Sequence, residues 1–356
     1  MLTADNITLS GHLEIKKQIH LRATKKLDSD KKLKMNDCFV CFSSGSKDHV
    51  GKITFIEKDT SFYAGGFMGI IRTYSDKILP KFLYTVLNSD LYRQIIRDES
   101  GGDNIQNLSQ SIALIKVPIP PIDVQKQIVE EISKVDTSVN ISKSLIDNEI
   151  SDIETIISRL VSTVCIKEYF DINTQTLNPT SCWKNEHFTY VDIDSVGKGD
   201  GCISFDKIIL GKDAPSRARR VAQDRTVVVS TVRPYLKGFA YIENVPNKTI
   251  FSTSFALFKS KDEENYISKL LYYLFMFSDD LMKQMETAMP KAAYPSINKE
   301  DIDNFKIPLL AIDEQKRIVA QIEALELEIT KARTLIENAA SKKQAILDKY
   351  LQNEQQ

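Results

Sequence analysis

The chain has 356 residues, 42% of them hydrophobic, and its 47 Lys and Arg against 48 Asp and Glu leave a formal net charge of −1. That length exceeds what a single core usually fills and points to two domains, while the charge balance excludes a globally basic nucleic-acid coat, so any basic surface has to be local. No apolar stretch reaches the ~20 residues of a membrane-spanning helix, the first residues lack the pattern of a signal peptide, and the odd count of five cysteines suits free thiols, so a cytoplasmic protein is expected.

In chain order, NDCFVCFSS reads as a buried strand carrying Cys38 and Cys41. A lone C-x-x-C with no second Cys or His pair at finger spacing gives core thiols, because a zinc site needs four ligands. The loop SSGSKDHVGK follows and offers Ser43, Ser44, Ser46, Lys47, His49 and Lys52; FYAGGFMGIIR is then a small-residue strand ending in a base. A second loop, SGGDNIQNLS, has Gly101 and Gly102 to let a backbone approach a ligand, with Asn104 and Gln106 as polar readers.

VPIPPIDVQKQIV, from Val117 to Val129, is a proline-bearing apolar run that opens a helix with Asp123 as N-cap. Apolar residues recur at Ile128, Ile132, Val135, Val139, Ile146, Ile150, Ile153, Ile157, Leu160 and Val164, with polar Ser142 at one seam position. Spacings alternating four and three make a heptad seam against another helix, and the double four at Ile146 to Ile150 is a stutter that locally unwinds it.

Beyond it, EYFDINTQTLNPTSCWKNEHF leads into the strand TYVDIDSV. NPTS lacks the aromatic with which an adenine methyltransferase site stacks a flipped base, and it reads as a turn. From Asp206 to Ile250 nine bases (Lys207, Lys212, Arg217, Arg219, Arg220, Arg225, Arg233, Lys237, Lys248) face four acids (Asp206, Asp213, Asp224, Glu243). APSRARRVAQDR is too charged for a buried element, and STVRPYLKG is a loop between the strands RTVVVS and FAYIE. Arginine suits bidentate contact with guanine and Tyr235 suits stacking or phosphate; the alternative for such loops is plain solvated surface. AMPKAAYPSIN adds Lys291 and Tyr294 as polar readers.

IPLLAIDEQKRIV, from Ile307 to Val319, then repeats the earlier phrase 190 positions on, measured from Pro118 to Pro308. Asp313 is again the N-cap candidate, and a second seam runs through Ile318, Ile322, Leu325, Ile329, Ala332, Ile336, Ala340, Leu347 and Tyr350 with its double four at Ile336 to Ala340. Weaker echoes pair NSDLYRQ with SDDLMKQ and FYAGGFMGIIR with IFSTSFALFK. A period this long signals duplicated domains rather than a solenoid. No G-x-G-x-x-G, P-loop or H-E-x-x-H occurs, and His12, His20, His49 and His187 are scattered, so neither cofactor nor metal has a cradle in the sequence.

The phrase P-x-P-P-x-x-x-Q-x-x-I, standing as PIPPIDVQKQI and less perfectly as PLLAIDEQKRI, its duplication and the trailing helices resemble the specificity subunits of type I restriction-modification systems over nearly the whole chain. The resemblance implies an α+β fold, with two similar mixed α/β target-recognition domains separated by two long antiparallel coiled-coil helices in a pseudo-two-fold arrangement. The expected limits are 1–120 and 169–310 for the recognition domains and 121–168 and 311–356 for the helices. It implies no chemistry in this chain: each domain reads half of a split double-stranded DNA site, and the helices set the spacer and dock modification subunits, two in number. Those partners carry S-adenosylmethionine and methylate adenine, and restriction or translocase subunits can join them. The DNA-binding residues expected are Lys47, Lys52, Asn104, Gln106, Lys212, Arg217, Arg219, Arg220, Arg233, Tyr235, Lys237, Lys291 and Tyr294.

The chain departs from that pattern at Leu310-Ala311, which stand where the first copy has Pro120-Pro121. It also departs at its start: LTADNITLSG already lies over VDIDSVGKGDG, so the first domain is expected to lack about twenty residues equivalent to the second domain's lead-in. Two rival expectations are a silent subunit that docks partners without productive recognition, and a coiled-coil scaffold whose globular ends bind proteins.

Overall fold

The uncharged run Cys38–Cys41 and the valine-rich Thr226–Ser230 are segments that only a covered sheet centre accepts, and each is an inner strand of a sheet in the computed structural model. The structure describes residues 1–16, 18–20, 28–45, 49–74, 76–99, 106–108, 112–289 and 296–351. They form two units, Met1–Ser144 with Lys331–Gln356, and Leu145–Thr330.

The first unit contains β1 (Cys38–Cys41), β2 (Ser43–Ser44), β3 (Ile53–Phe55), β4 (Met68–Ile71), α1 (Pro80–Leu87), α2 (Asp90–Glu99), β5 (Gln106–Asn107) and the first part of α3 (Ile122–Ser158). The antiparallel sheet β3-β1-β4 alternates its side chains between two cores. Cys38 and Val40 pack with Leu83 and Leu87 of α1. Phe39 and Cys41 pack with Leu2, Ile7, Leu33 and Ile56. Burial pushes the Cys38 thiol up to about 12, as a core thiol requires.

The second unit continues from the end of α3 with β6 (Ser162–Cys165), α4 (Ile166–Tyr169), β7 (Phe170–Ile172), α5 (Pro179–Cys182), β8 (His187–Val191), β9 (Ile208–Leu210) and β10 (Ala218–Arg220). Then come β11 (Thr226–Ser230), β12 (Phe239–Ile242), β13 (Thr249–Ser252), β14 (Phe255–Ser260), α6 (Ser268–Phe277), α7 (Asp279–Ala288), α8 (Lys299–Asp303), β15 (Lys306–Pro308) and α9 (Ile312–Glu337). α10 (Ala339–Leu351) closes the described chain in the first unit. One sheet is β12-β11-β14-β7, a second is β10-β13-β8-β9 with β13 and β8 parallel, and β15 pairs with β6. Val227, Phe239, Phe258 and Phe275 are fully or almost fully buried on the α6 side, each such side chain contributing about 1.5–3 kcal/mol by leaving water.

Equivalent hydrogen bonds confirm the repeat. The Phe42 and Thr231 amides donate to the Phe67 and Ser254 carbonyls at 3.0 and 2.9 Å, and their own carbonyls accept from Leu108 and Ile297 at 2.8 and 3.1 Å. Leu2 bridges Ala64 in parallel as Val191 pairs Phe251, which bears out the match of LTADNITLSG to VDIDSVGKGDG.

The seam of α3 is buried as its period requires: Ile128, Ile132, Ser142, Ile153 and Ile157 are buried and Val135, Val139, Ile146 and Ile150 half-buried. In the first unit Ile128 and Ile132 pack with Leu347, Asp136 pairs with Lys343, and Glu131 meets Lys349 and Tyr350, an antiparallel order. In the second unit Ile153 and Ile157 share a core with Ile318, Ile322 and Ile329, flanked by Leu325.

Several expectations are corrected. Both helices start two residues earlier than the N-cap reading, because the Pro121 and Ala311 carbonyls already accept from the Gln125 and Gln315 amides. Asp123 and Asp313 therefore sit in the first turn, where their charge meets the positive end of the helix dipole. α3 ends at Ser158, so Val164 belongs to β6 rather than to the seam. The second helix is interrupted between Glu337 and Ala339, and that offset turns Ala339 inward and leaves Ala340 exposed. NPTS is no bare turn: Asn178 caps α5 by accepting from the Thr180 amide at 3.2 Å. APSRARRVAQDR does enter the core, since strand alternation places Ala218 inside, fully buried between charged neighbours.

Candidate nucleic-acid interface

Two of the loops expected to read DNA meet in each unit. In the second, Val232 bridges Ser296. Thr231 donates through its amide and through its hydroxyl to the Ser254 carbonyl, both at 2.9 Å, and its hydroxyl lies 3.2 Å from the Ser296 hydroxyl. The Thr253 amide donates to the Arg217 carbonyl at 2.8 Å, so the Arg217 loop joins the same end of the sheets. This hydroxyl network fixes the loops from below, and sequence reasoning missed it; its trace is the polar, small STV and STS flanking two apolar strands.

From that platform the segment Arg233–Lys237 projects as one 3-10 turn, Pro234–Leu236, with left-handed backbones at both ends, φ 49° at Arg233 and at Lys237. Pro234 is buried and the Lys237 ammonium donates to the Met276 carbonyl at 2.7 Å, capping the C-terminal end of α6. The turn is thus rigidly mounted, with Arg233 exposed and Tyr235 56% exposed.

The nine bases of the positive segment divide sharply. Lys207, Arg225 and Lys248 pair with Asp192, Glu243 and Glu186. Arg219 donates to the Ala218 carbonyl at 2.7 Å. Arg220 turns inward, donating to Asn173 Oδ1 at 2.6 Å, and desolvation lowers its pKa to about 10. Arg217, Arg233 and Lys212 are exposed and have no ion pair among the described residues. Lys212 is not brought to the platform: its amide donates to the Lys184 carbonyl, beside the start of β8, while Arg217 lies beyond the end of β13.

In the first unit β2 pairs with β5, Ser43 opposite Asn107 as Val232 meets Ser296 in the second, and Ser44 opposite Gln106. Counting one residue on from the matched pair Phe42 and Thr231 and then one more, Ser44 stands where Arg233 stands. Lys52 is half-buried behind the loop, near the Cys41 thiol, whose pKa burial raises. Lys47, Asn104, Lys291 and Tyr294 lie outside the described residues. Among the described residues no group of His, Cys, Asp and Glu is placed to hold a metal ion, and no helix is long and apolar enough to cross a membrane.

Two copies of one α/β domain, each running into a long helix of a paired seam, define a duplicated recognition protein rather than a single-site one. The model of the type I restriction modification DNA specificity domain matches the chain twice, over residues 15–151 and 160–338. The putative type I restriction enzyme MjaX specificity subunit of Methanocaldococcus jannaschii is 22% identical over 335 residues, 83% of this chain and 74% of that one. The type I restriction enzyme EcoKI specificity subunit of Escherichia coli K12 is 34% identical over 114 residues, 32% of this chain and 24% of that one. The crystal structure of the type I restriction-modification S subunit from M. genitalium superposes with a TM-score of 0.55 at 16% identity, covering 98% of this chain and 91% of that one, a likeness of fold. The chain belongs to the type I restriction modification DNA specificity family, and its function is that of a DNA sequence-specificity subunit.

Proposed function

We propose that the chain reads a two-part double-stranded DNA target, one part with each unit, and performs no chemistry itself. Methylation of adenine falls to modification subunits that it docks and that hold S-adenosylmethionine. The observation that carries this reading is the convergence of Arg217, Arg233 and Tyr235 on one rigid platform at the end of the second unit's sheets. Phosphate neutralisation needs unpaired cations and base reading needs preorganised side chains, and the three supply both.

Docking falls to residues other than the seam, because Ile128, Ile132, Ile153, Ile157, Ile318 and Ile322 are consumed in packing within their own units. Ile141, Leu327 and Leu335 remain 63%, 55% and 46% exposed on the helices and offer apolar surface to a partner protein. The silent-subunit reading is favoured for the first unit alone, where Ser44 replaces Arg233.

The test is a binding titration of the chain with its modification subunit against double-stranded DNA libraries at several salt concentrations. The reading expects sequence-selective binding whose affinity falls steeply with salt, by about 0.9 in log-log slope for each phosphate neutralised. Binding without sequence preference, or indifferent to salt, contradicts it.

A further inference from the structure

The long helices meet different neighbours at one matched place. The Leu79 and Ile267 amides donate to Gln125 and Gln315 Oε1 at 2.8 and 2.9 Å, so α1 and α6 start in step. Phe82, Leu83, Val86 and Leu87 are then buried as Leu270, Leu271, Leu274 and Phe275 are, and Thr85 stands where Tyr273 stands. Counted from the same two glutamines, Asp136 of α3 holds the place of Glu326 of α9.

In the second unit Tyr273 is fully buried, its ring lies 5.2 Å from that of Tyr272, and its hydroxyl donates to Glu326 Oε2 at 2.6 Å. One phenol thus ties α6 to α9. In the first unit Thr85 has no ring to offer, and its hydroxyl turns back to the Lys81 carbonyl of its own helix at 2.8 Å. A cavity of about 310 Å³ lies there instead, with Tyr84 and Thr85 of α1, Ile132, Asp136 and Val139 of α3 and Gln344 of α10 in its wall. Small-molecule sites begin at roughly 300 Å³.

The same wall holds polar groups that the fold leaves unsatisfied. Among the described residues the buried side-chain atoms without a hydrogen-bond partner are Arg93 Nε and Gln344 Oε1, and both residues border this cavity. Their other groups are engaged: Arg93 Nη2 donates to Asn88 Oδ1 at 2.6 Å and Gln344 Nε2 to Asp348 Oδ1 at 2.8 Å. Asp136 meets Lys343 through Oδ1, and a carboxylate accepts from more than one donor. One donor lacking an acceptor and one acceptor lacking a donor call for an occupant that does both, as a hydroxyl does.

We propose that this cavity binds a small phenol, its ring against Tyr84, Ile132 and Val139 and its hydroxyl on the polar wall of Asp136, Gln344 and Arg93. The ligand ties α1 to α3 as Tyr273 ties α6 to α9. Neither the cavity nor its chemistry depends on DNA reading.

The probe is p-cresol, the tyrosine side chain as a free molecule, titrated calorimetrically into the full chain with hydrogen exchange followed on the complex. Saturable one-to-one binding is expected, with new amide protection at residues 81–93 and 132–143, the helical walls of the cavity. Toluene, which lacks the hydroxyl, should bind at least roughly tenfold more weakly. The Thr85→Tyr chain, which supplies the ring from within, should melt no lower than the parent and bind p-cresol at least roughly tenfold more weakly. N-acetyltyrosinamide separates the two sources of a phenol: displacement of p-cresol assigns the site to a tyrosine of a bound protein, and failure to displace it assigns the site to a free phenol. Absence of p-cresol binding, meaning a hole for water alone, equal binding of toluene, or protection elsewhere would each overturn the proposal, and these three are read on the unaltered chain. Undiminished binding by a folded Thr85→Tyr chain would overturn it as well.

Discussion

Gln125 and Gln315 stand 190 positions apart in the sequence and make the same three hydrogen bonds in different units. Both are completely buried. Gln125 Oε1 accepts from the Leu79 amide and its Nε2 donates to the Lys77 and Pro120 carbonyls, all at 2.8 Å. Gln315 accepts from the Ile267 amide at 2.9 Å and donates to Asn265 and Leu310 at 3.0 and 2.9 Å. Each amide therefore ties the first turn of its long helix to the loop that starts α1 or α6, which is why the repeated phrase carries a glutamine at that spacing.

Replacing either glutamine by alanine strands one buried N–H and two carbonyls, and a loss of about 2–4 kcal/mol is expected. Glutamate is the sharper variant: it keeps the acceptor but opposes a carboxylate to two carbonyl oxygens. Calorimetric or denaturant unfolding should rank Gln315→Glu at least as destabilised as Gln315→Ala, and a milder Glu variant would contradict the assigned amide orientation.

Arg220 and Arg233 should behave as opposites although both lie in one basic stretch. Arg220→Ala is expected to cost about 1–2 kcal/mol of stability through the lost bond to Asn173, whereas Arg233→Ala should stay within about 0.5 kcal/mol of the parent. In DNA titrations Arg217→Ala and Arg233→Ala should each lower affinity by roughly 1–3 kcal/mol or reduce the salt slope by about one. Lys212→Ala should do neither.

Glu131 links α3 to α10 by accepting from the Tyr350 hydroxyl at 2.6 Å and from Lys349 at 3.0 Å, and these bonds hold its carboxyl below the usual carboxylate value of 4.5. A depressed folded-state pKa adds stability above the unfolded value and loses it as pH falls through the folded one. The stability difference between the parent and Glu131→Gln should therefore be present at neutral pH and vanish under acid conditions. A difference independent of pH would assign the effect to packing.

What the sequence disclosed follows from period and repetition. Ile128 through Ile157 were legible because a heptad spacing survives only on a helix with a neighbour, and the matched phrase exposed the duplication. Ala340 misled because a one-residue interruption at Asn338 leaves no mark on the pattern. The candidate interface was legible as charge but not as geometry. Arg220, Lys237 and Arg225 count equally with Arg233 in a sequence, yet Asn173, the Met276 carbonyl and Glu243 engage them within the fold. Those partners lie 18 to 47 positions distant and are decided by the sheet.

Genome-wide mapping of methylated adenine tests the central claim most directly, in cells that carry the modification subunit with the chain, without it, or with its Arg217→Ala, Arg233→Ala form. A two-part methylation motif is predicted to appear only with the chain, and the double variant should lose or relax the part read by the second unit. The same methylation pattern in all three cells would contradict the account.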